Sequence, residues 1–208
     1  MKVHPETRAG WRVHDQEAFP SLKTTELVIL DSAYAELKPA ETASLTLIPP
    51  AMTGPPELVW LDKVETKTPG IWAGNVGRGR IIWLPWNPGG PYYRYSSPGH
   101  AGLVLDMVDR LLPQGRQLRT DAHPLIEMTV MYQPERKRTL VHLVNVSGHS
   151  STGYFSPLTT GPITLDLAGM FARGRLVRHG GEATVSAADD RTRFTVPSVA
   201  DYEVVVLE

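Results

Sequence analysis

The sequence predicts an α/β unit followed by a small antiparallel β-sandwich. Three observations carry that prediction. A glycine-bearing turn at Gly77 and Gly79 leads into the continuous apolar run Ile81-Ile82-Trp83-Leu84, and an amphipathic helical pattern follows over 98–112. Beyond Gln117, short segments alternate with period two and the helical spacing disappears. Eighteen glycines and 18 prolines in 208 residues supply the turns of a β-rich chain. With 41% apolar residues the chain can build one large core or two small ones.

The elements follow in order. Residues 1–24 are polar with scattered aromatics, Trp11 and Phe19, and read as irregular. Glu26 to Leu30 and Ser44 to Ile48 read as strands. Pro49 to Pro56 holds four prolines and a glycine, a loop because proline has no N–H for a ladder. Gly70 to Asn75 leads into a strand at Arg80 to Leu84, whose unbroken apolar run fits burial on both faces of a parallel sheet. Ser97 then Pro98 is a helix start, with serine as the cap and proline at the first helical position. Leu103, Val104, Met107, Val108, Leu111 and Leu112 recur at helical spacing until Pro113 and Gly115 stop the helix.

The second half is all strands. Ile126 to Tyr132 and Leu140 to Val146 flank the charged turn QPERKR and read as a hairpin. Further strands fit Ile163 to Leu167, Arg175 to Arg178, Ala183 to Ser186, Arg193 to Val196 and Tyr202 to Leu207, with a turn at Asp189-Asp190. Several short strands at close spacing predict a sandwich. The boundary falls near 113–120, dividing the chain into 1–115 and 116–208.

Bulk properties exclude several classes. A net charge of -1 gives no global pull toward nucleic acid or membrane surface. With no cysteine there is no disulfide, thiolate metal site or cysteine nucleophile. No run approaches the roughly 18 apolar residues of a membrane span, and the first residues lack the apolar core of a secretory signal. A cytoplasmic location is expected.

The stretch GRGRIIWLPWNPGGPYYRYSSPGHAGLVLDMVDRLL resembles the closing segment of the glutamine-amidotransferase-like domain of bacterial glycoside-hydrolase-like proteins. These include the hypothetical glycosyl hydrolases and the β-galactosidases with a trimerisation domain. TLIPPAMTGPPELVW is similar to that family's "TL-x-PP…PPE" loop, and LVHLVNVSG with VPSVADYEVVVLE resembles its C-terminal β-sandwich. The resemblance implies a partial flavodoxin-like, amidotransferase-like domain over 1–115 and an antiparallel β-sandwich over 116–208. It also implies that the catalytic (β/α)8 barrel, which needs roughly 200–250 residues of its own, lies elsewhere. The chain is then expected to be the C-terminal part of a larger glycosidase-like protein. Glutaminase chemistry is excluded, because its nucleophile is a cysteine.

Glycosidases need two carboxylates at fixed separation; Glu57, Asp62, Glu65, Asp106 and Asp109 are available, and Asp106 with Asp109 shares a helix face that solvent would explain. His100, His123, His142 and His149 are potential bases, but no Gly-x-Ser-x-Gly elbow accompanies the serines at 147–151. No cofactor is expected. A metal ion stays open through Asp121, His123 and His142, which a hairpin would bring near one another, and an oxygen-rich calcium site through Asp189-Asp190. The main candidate is Trp86, Tyr92, Tyr93, Arg94, Tyr95 and His100, following the C-terminal end of the expected parallel strand, where open α/β sheets bind ligands. Aromatic faces stack on sugars, and tyrosine, tryptophan and arginine also anchor interfaces.

The leading expectation is a non-catalytic accessory region of a glycoside-hydrolase-like protein, serving assembly or carbohydrate contact. Its partners would be a catalytic barrel domain, a second copy, or a carbohydrate, with no nucleic acid and no membrane. The alternatives are a stand-alone hydrolase of an ester, lactone or glycoside, metal-assisted through the His and Asp residues above, and an oligomerisation module. Exposed sheet edges favour self-association.

Overall fold

The structure is a computed structural model, described here for residues 2–50, 55–58, 66–150 and 152–208. It divides into two compact units, Met1–Gly115 and Arg116–Glu208. None of its described helices is long and apolar enough to cross a membrane.

In the first unit, β1 (Lys2–Val13), β2 (Leu27–Glu36) and β3 (Leu45–Ile48) form one sheet in the order β2-β1-β3. The expectation that residues 1–24 are irregular is therefore corrected. Lys2 pairs with Glu36 and Arg12 with Leu27 across a long antiparallel ribbon. The register shifts between His4 and Thr7, around Pro5, which has no N–H to give a ladder. Ladder bonds to β2 hold Lys2 to Arg8, although little of that segment is buried. Farther along, Trp11 and Val13 pair with the core-facing Leu47 and Leu45 of β3.

β4 (Trp72–Val76) and β5 (Gly79–Trp83) form a separate hairpin. Gly77 has φ of 58°, and Gly77-Arg78 is a two-residue turn, which joins only antiparallel neighbours. The apolar run at 81–84 is thus an antiparallel strand, and Ile81 and Trp83 are exposed. All paired strands described in this unit are antiparallel. The parallel, doubly covered sheet expected of a flavodoxin-like half is not formed by them.

Two helices follow: α1 (Gly89–Tyr95) and α2 (Pro98–Leu111). The Asn87 side-chain oxygen accepts from the N–H groups of Gly89 and Gly90 and opens α1. Ser97 takes the extended backbone of a cap residue before Pro98, but its side chain makes no capping bond. α2 buries His100, Gly102, Leu103 and Asp106, while Val104 and Leu105 are exposed, so its inward face is rotated from the aliphatic stripe. The cause is a close approach to the 3₁₀ turn Pro20–Leu22: a Cβ on Gly102 would stand 2.5 Å from the Ser21 Cβ. Asp106, expected to solvate the helix, is buried and accepts from the Ser21 N–H and hydroxyl at 2.9 and 2.8 Å. Asp109 is exposed. The core of the unit gathers Trp11, Phe19, Leu22, Leu30, Tyr34, Leu45, Trp86 and Leu103.

The second unit is a sandwich of antiparallel sheets. Its strands are β6 (Leu118–Thr120), β7 (Ile126–Gln133), β8 (Arg138–Asn145), β9 (His149–Ser150), β10 (Gly153–Tyr154), β11 (Ile163–Ala168), β12 (Gly174–Leu176), β13 (Glu182–Ala183), β14 (Val185–Ala188), β15 (Arg191–Val196) and β16 (Tyr202–Leu207). The larger sheets run β14-β15-β11-β6 and β13-β12-β16-β8-β7, and β9-β10 is a small ribbon. The hairpin expected around QPERKR forms, with Gln133 opposite Arg138 and Lys137 in the left-handed region. Asp189 and Asp190, both at positive φ, turn β14 into β15. The single strand expected at 183–186 divides at Thr184, with β13 in one sheet and β14 in the other. One shared core includes Val141, Leu143, Leu165, Leu167, Phe194, Val205 and Leu207. Each such side chain contributes about 1.5–3 kcal/mol on burial.

Candidate functional site

In the first unit, the residues predicted around α1 separate into two groups. Trp86 and His100 belong to the core. The Trp86 indole donates to the Gly70 carbonyl at 2.8 Å and packs on Trp11 and edge-on to His100. His100 is 1% exposed, and its Nε2 lies 2.7 Å from the Ile29 carbonyl, so Nε2 carries the proton and donates. Both side chains are structural members of the packing.

Arg94 and Tyr95 converge on Asp31 of β2. Asp31 is buried, and the Arg94 Nη1 lies 3.0 Å from its Oδ2 while Nη2 donates to its backbone carbonyl at 3.3 Å. The Tyr95 hydroxyl donates to the same Oδ2. Arg8, largely exposed, stands 3.8 Å from Oδ1. This is a buried carboxylate held by a guanidinium and a phenol, an arrangement that neutralises Asp31 rather than presenting it. Tyr92 is half-buried, and Tyr93 projects into solvent with 89% exposure.

A second aromatic feature lies on the β4–β5 hairpin. Trp72 and Trp83 are direct cross-strand partners, 44% and 41% exposed. They line a cleft of about 610 Å³ together with Lys38, Ser44, Ile71 and Arg110. Sequence reasoning misses this pair because Gly77 and Gly79 read there as the lead into a parallel strand. Reading Gly77-Arg78 as a two-residue hairpin turn sets Trp72 opposite Trp83, which is the signal that would have found it.

Near Tyr34, His4 stacks on the ring at 4.4 Å and its Nε2 lies 3.0 Å from Glu36. The hydrogen bond from His4 holds the Glu36 carboxyl below its ordinary range. Burial, and then the Glu36 charge, push the Tyr34 phenol up.

In the second unit, the proposed metal ligands are each used elsewhere. Asp121 accepts from the Thr164 N–H at 2.7 Å, His123 Nδ1 accepts from the Leu125 N–H at 3.2 Å, and His142 Nδ1 pairs with the Tyr202 hydroxyl. Among the described residues no three His, Asp or Glu side chains group to hold a metal, at these positions or at Asp189-Asp190. Glu203 is 1% exposed and accepts from the backbone N–H groups of Val177, Arg178, His179 and Val204 at 2.7–3.0 Å. Asn145 donates to the carbonyls of Leu158, Val199 and Ala200. Glu57 is exposed, and Asp62 and Glu65 lie outside the described residues.

No protein-family model and no curated protein matches the sequence. The fold has a solved counterpart. Over 99% of its length the chain superposes on alpha-L-fucosidase isoenzyme 2 from Paenibacillus thiaminolyticus with a TM-score of 0.70 and 17% identity. It spans 32% of that enzyme's length. A cycloisomaltooligosaccharide glucanotransferase from Paenibacillus sp., complexed with cycloisomaltoheptaose, matches 43% of this chain and 16% of its own, with a TM-score of 0.37 and 16% identity. The chain thus shares the fold of a segment of a fucosidase.

Proposed function

We propose that this chain is a non-catalytic accessory region of a glycoside-hydrolase-like protein, working beside a catalytic (β/α)8 barrel in assembly and carbohydrate contact. The observation that carries this reading is the fate of the buried carboxylates. Glycoside hydrolysis needs two carboxyl groups about 5–9.5 Å apart and free to meet a sugar. Among the described residues the buried carboxylates are Asp31, Asp106 and Glu203. Asp31 is held by Arg94 and Tyr95, Asp106 by Ser21, and Glu203 by four backbone amides. Each is engaged within its own unit, and among the described residues none of the three lines the clefts at Trp72 and Trp83 or at Asp166 and Asp189. The fold shared with a segment of a fucosidase supplies the glycoside-hydrolase context.

The test is a hydrolase screen of the purified chain on aryl glycosides, aryl esters and lactones, with and without chelator. No turnover by a folded sample is expected. Chelator-sensitive turnover, lost on His123→Ala or His142→Ala, would overturn the reading in favour of a metal-assisted hydrolase.

A further inference from the structure

Trp72 and Trp83 are not among the residues of the described buried core. As cross-strand partners they leave the same face of the hairpin. Gly74 shares that face two residues along. The Trp72 indole covers it, since a Cβ on Gly74 would stand 2.6 Å from the ring atoms Cη2 and Cζ2. Glycine here lets the indole lie down along the strand, with ring surface still open to solvent.

The cleft beside these rings has the dimensions of a small-ligand site, about 610 Å³ against a usual span of roughly 300–1,000 Å³. Ile71 and Pro69 add apolar lining, and Thr42 and Ser44 add hydroxyls. Among the described residues its charged lining groups are Lys38 and Arg110, and no carboxylate lines it. Arg110 is steadied by the Phe19 ring, 5.8 Å from its guanidinium carbon. Open indole surface suits the C–H face of a pyranose ring. Two cations with no carboxylate beside them among the described lining residues suit an acid group on that sugar. A cleft of about 610 Å³ is of small-ligand size, whereas a protein partner would bury roughly 1,200–2,000 Å².

We infer that this cleft is a binding subsite for an acidic oligosaccharide, with a sugar ring stacked on Trp72 and Trp83 and its carboxylate met by Lys38 and Arg110. The inference deepens the accessory reading and rests on it for the ligand class.

The experiment titrates the full chain with oligogalacturonates and, separately, with neutral xylo-oligosaccharides, followed by calorimetry and tryptophan fluorescence. Oligogalacturonate is expected to bind, with affinity falling about tenfold in Trp72→Ala and in Trp83→Ala. It should fall severalfold in Lys38→Gln and Arg110→Gln, and weaken as salt is raised. Trp72→Phe serves if an alanine variant does not fold, and should retain part of the affinity. Absence of binding to either set by a folded chain overturns the subsite. Binding of the neutral set alone overturns the acidic assignment, and binding indifferent to both tryptophan replacements overturns the location. Turnover of a bound saccharide would instead sink the accessory reading and leave the subsite standing.

Discussion

Arg94 on α1 places its Nη1 3.0 Å from the Asp31 Oδ2 on β2, and the adjacent Tyr95 donates its hydroxyl to that same oxygen. Asp31 is buried while Arg94 is 43% exposed, so the pair is costly to break from the arginine side. Arg94→Ala is expected to lower unfolding stability by about 2 kcal/mol, and Tyr95→Phe by about 1 kcal/mol. Urea denaturation measures both. A double-mutant cycle of Arg94→Ala with Asp31→Asn should show coupling above about 0.5 kcal/mol, and zero coupling would mean the contact is idle.

Glu203 offers a sharper case. A carboxylate accepts at both oxygens, and here both face backbone N–H groups. Glu203→Gln replaces one acceptor with a donor pointed at a donor. The expected loss is about 2–4 kcal/mol, read from the thermal midpoint. An unchanged midpoint would show that the loop at Val177–His179 finds other partners.

The Glu36 carboxyl is held below its ordinary value of 4.5, first by its hydrogen bond to His4. A lowered folded value means the unfolded chain takes up the proton first. The contribution of Glu36 is full above 4.5 and is lost as pH falls through the folded value. Tyr34 acts at the other end: its value is raised above 10.0, so its contribution is full below 10.0 and is lost as pH rises past that point. Stability measured from pH 3 to 7 should fall less steeply at the acid end in Glu36→Gln than in the parent. Identical acid limbs would refute the assignment.

The second unit holds its own core of residues from both sheets. A fragment of residues 116–208 is expected to fold alone and give a dispersed ¹H–¹⁵N spectrum. A collapsed spectrum would count against an independent sandwich.

Tyr93 is 89% exposed, and its removal should leave the melting temperature within about 1 °C. If Tyr93 anchors assembly, Tyr93→Ala should also lower the mass measured by light scattering at high concentration. An unchanged mass would remove it from any interface between copies.

The sequence by itself determined the β-rich second half, the QPERKR hairpin, the Asp189-Asp190 turn and the helix opening at Pro98. Each follows from local terms: period-two alternation, residues that tolerate positive φ, and proline at a first helical turn. Tertiary structure decided the rest. Lys2 to Arg8 has no apolar alternation to announce a strand, and it becomes one through pairing with Asp31 to Glu36, far along the chain. Ile81 to Leu84 reads as buried because apolar runs record composition and not which faces are covered, and the hairpin leaves Ile81 and Trp83 in the open. Arg94, Tyr95 and Asp31, like Trp72 and Trp83, acquire their roles from a neighbour's position. A side chain's chemistry is written in the sequence, but whether it clamps, packs or stands free depends on which other groups the folded backbone brings within a few ångströms.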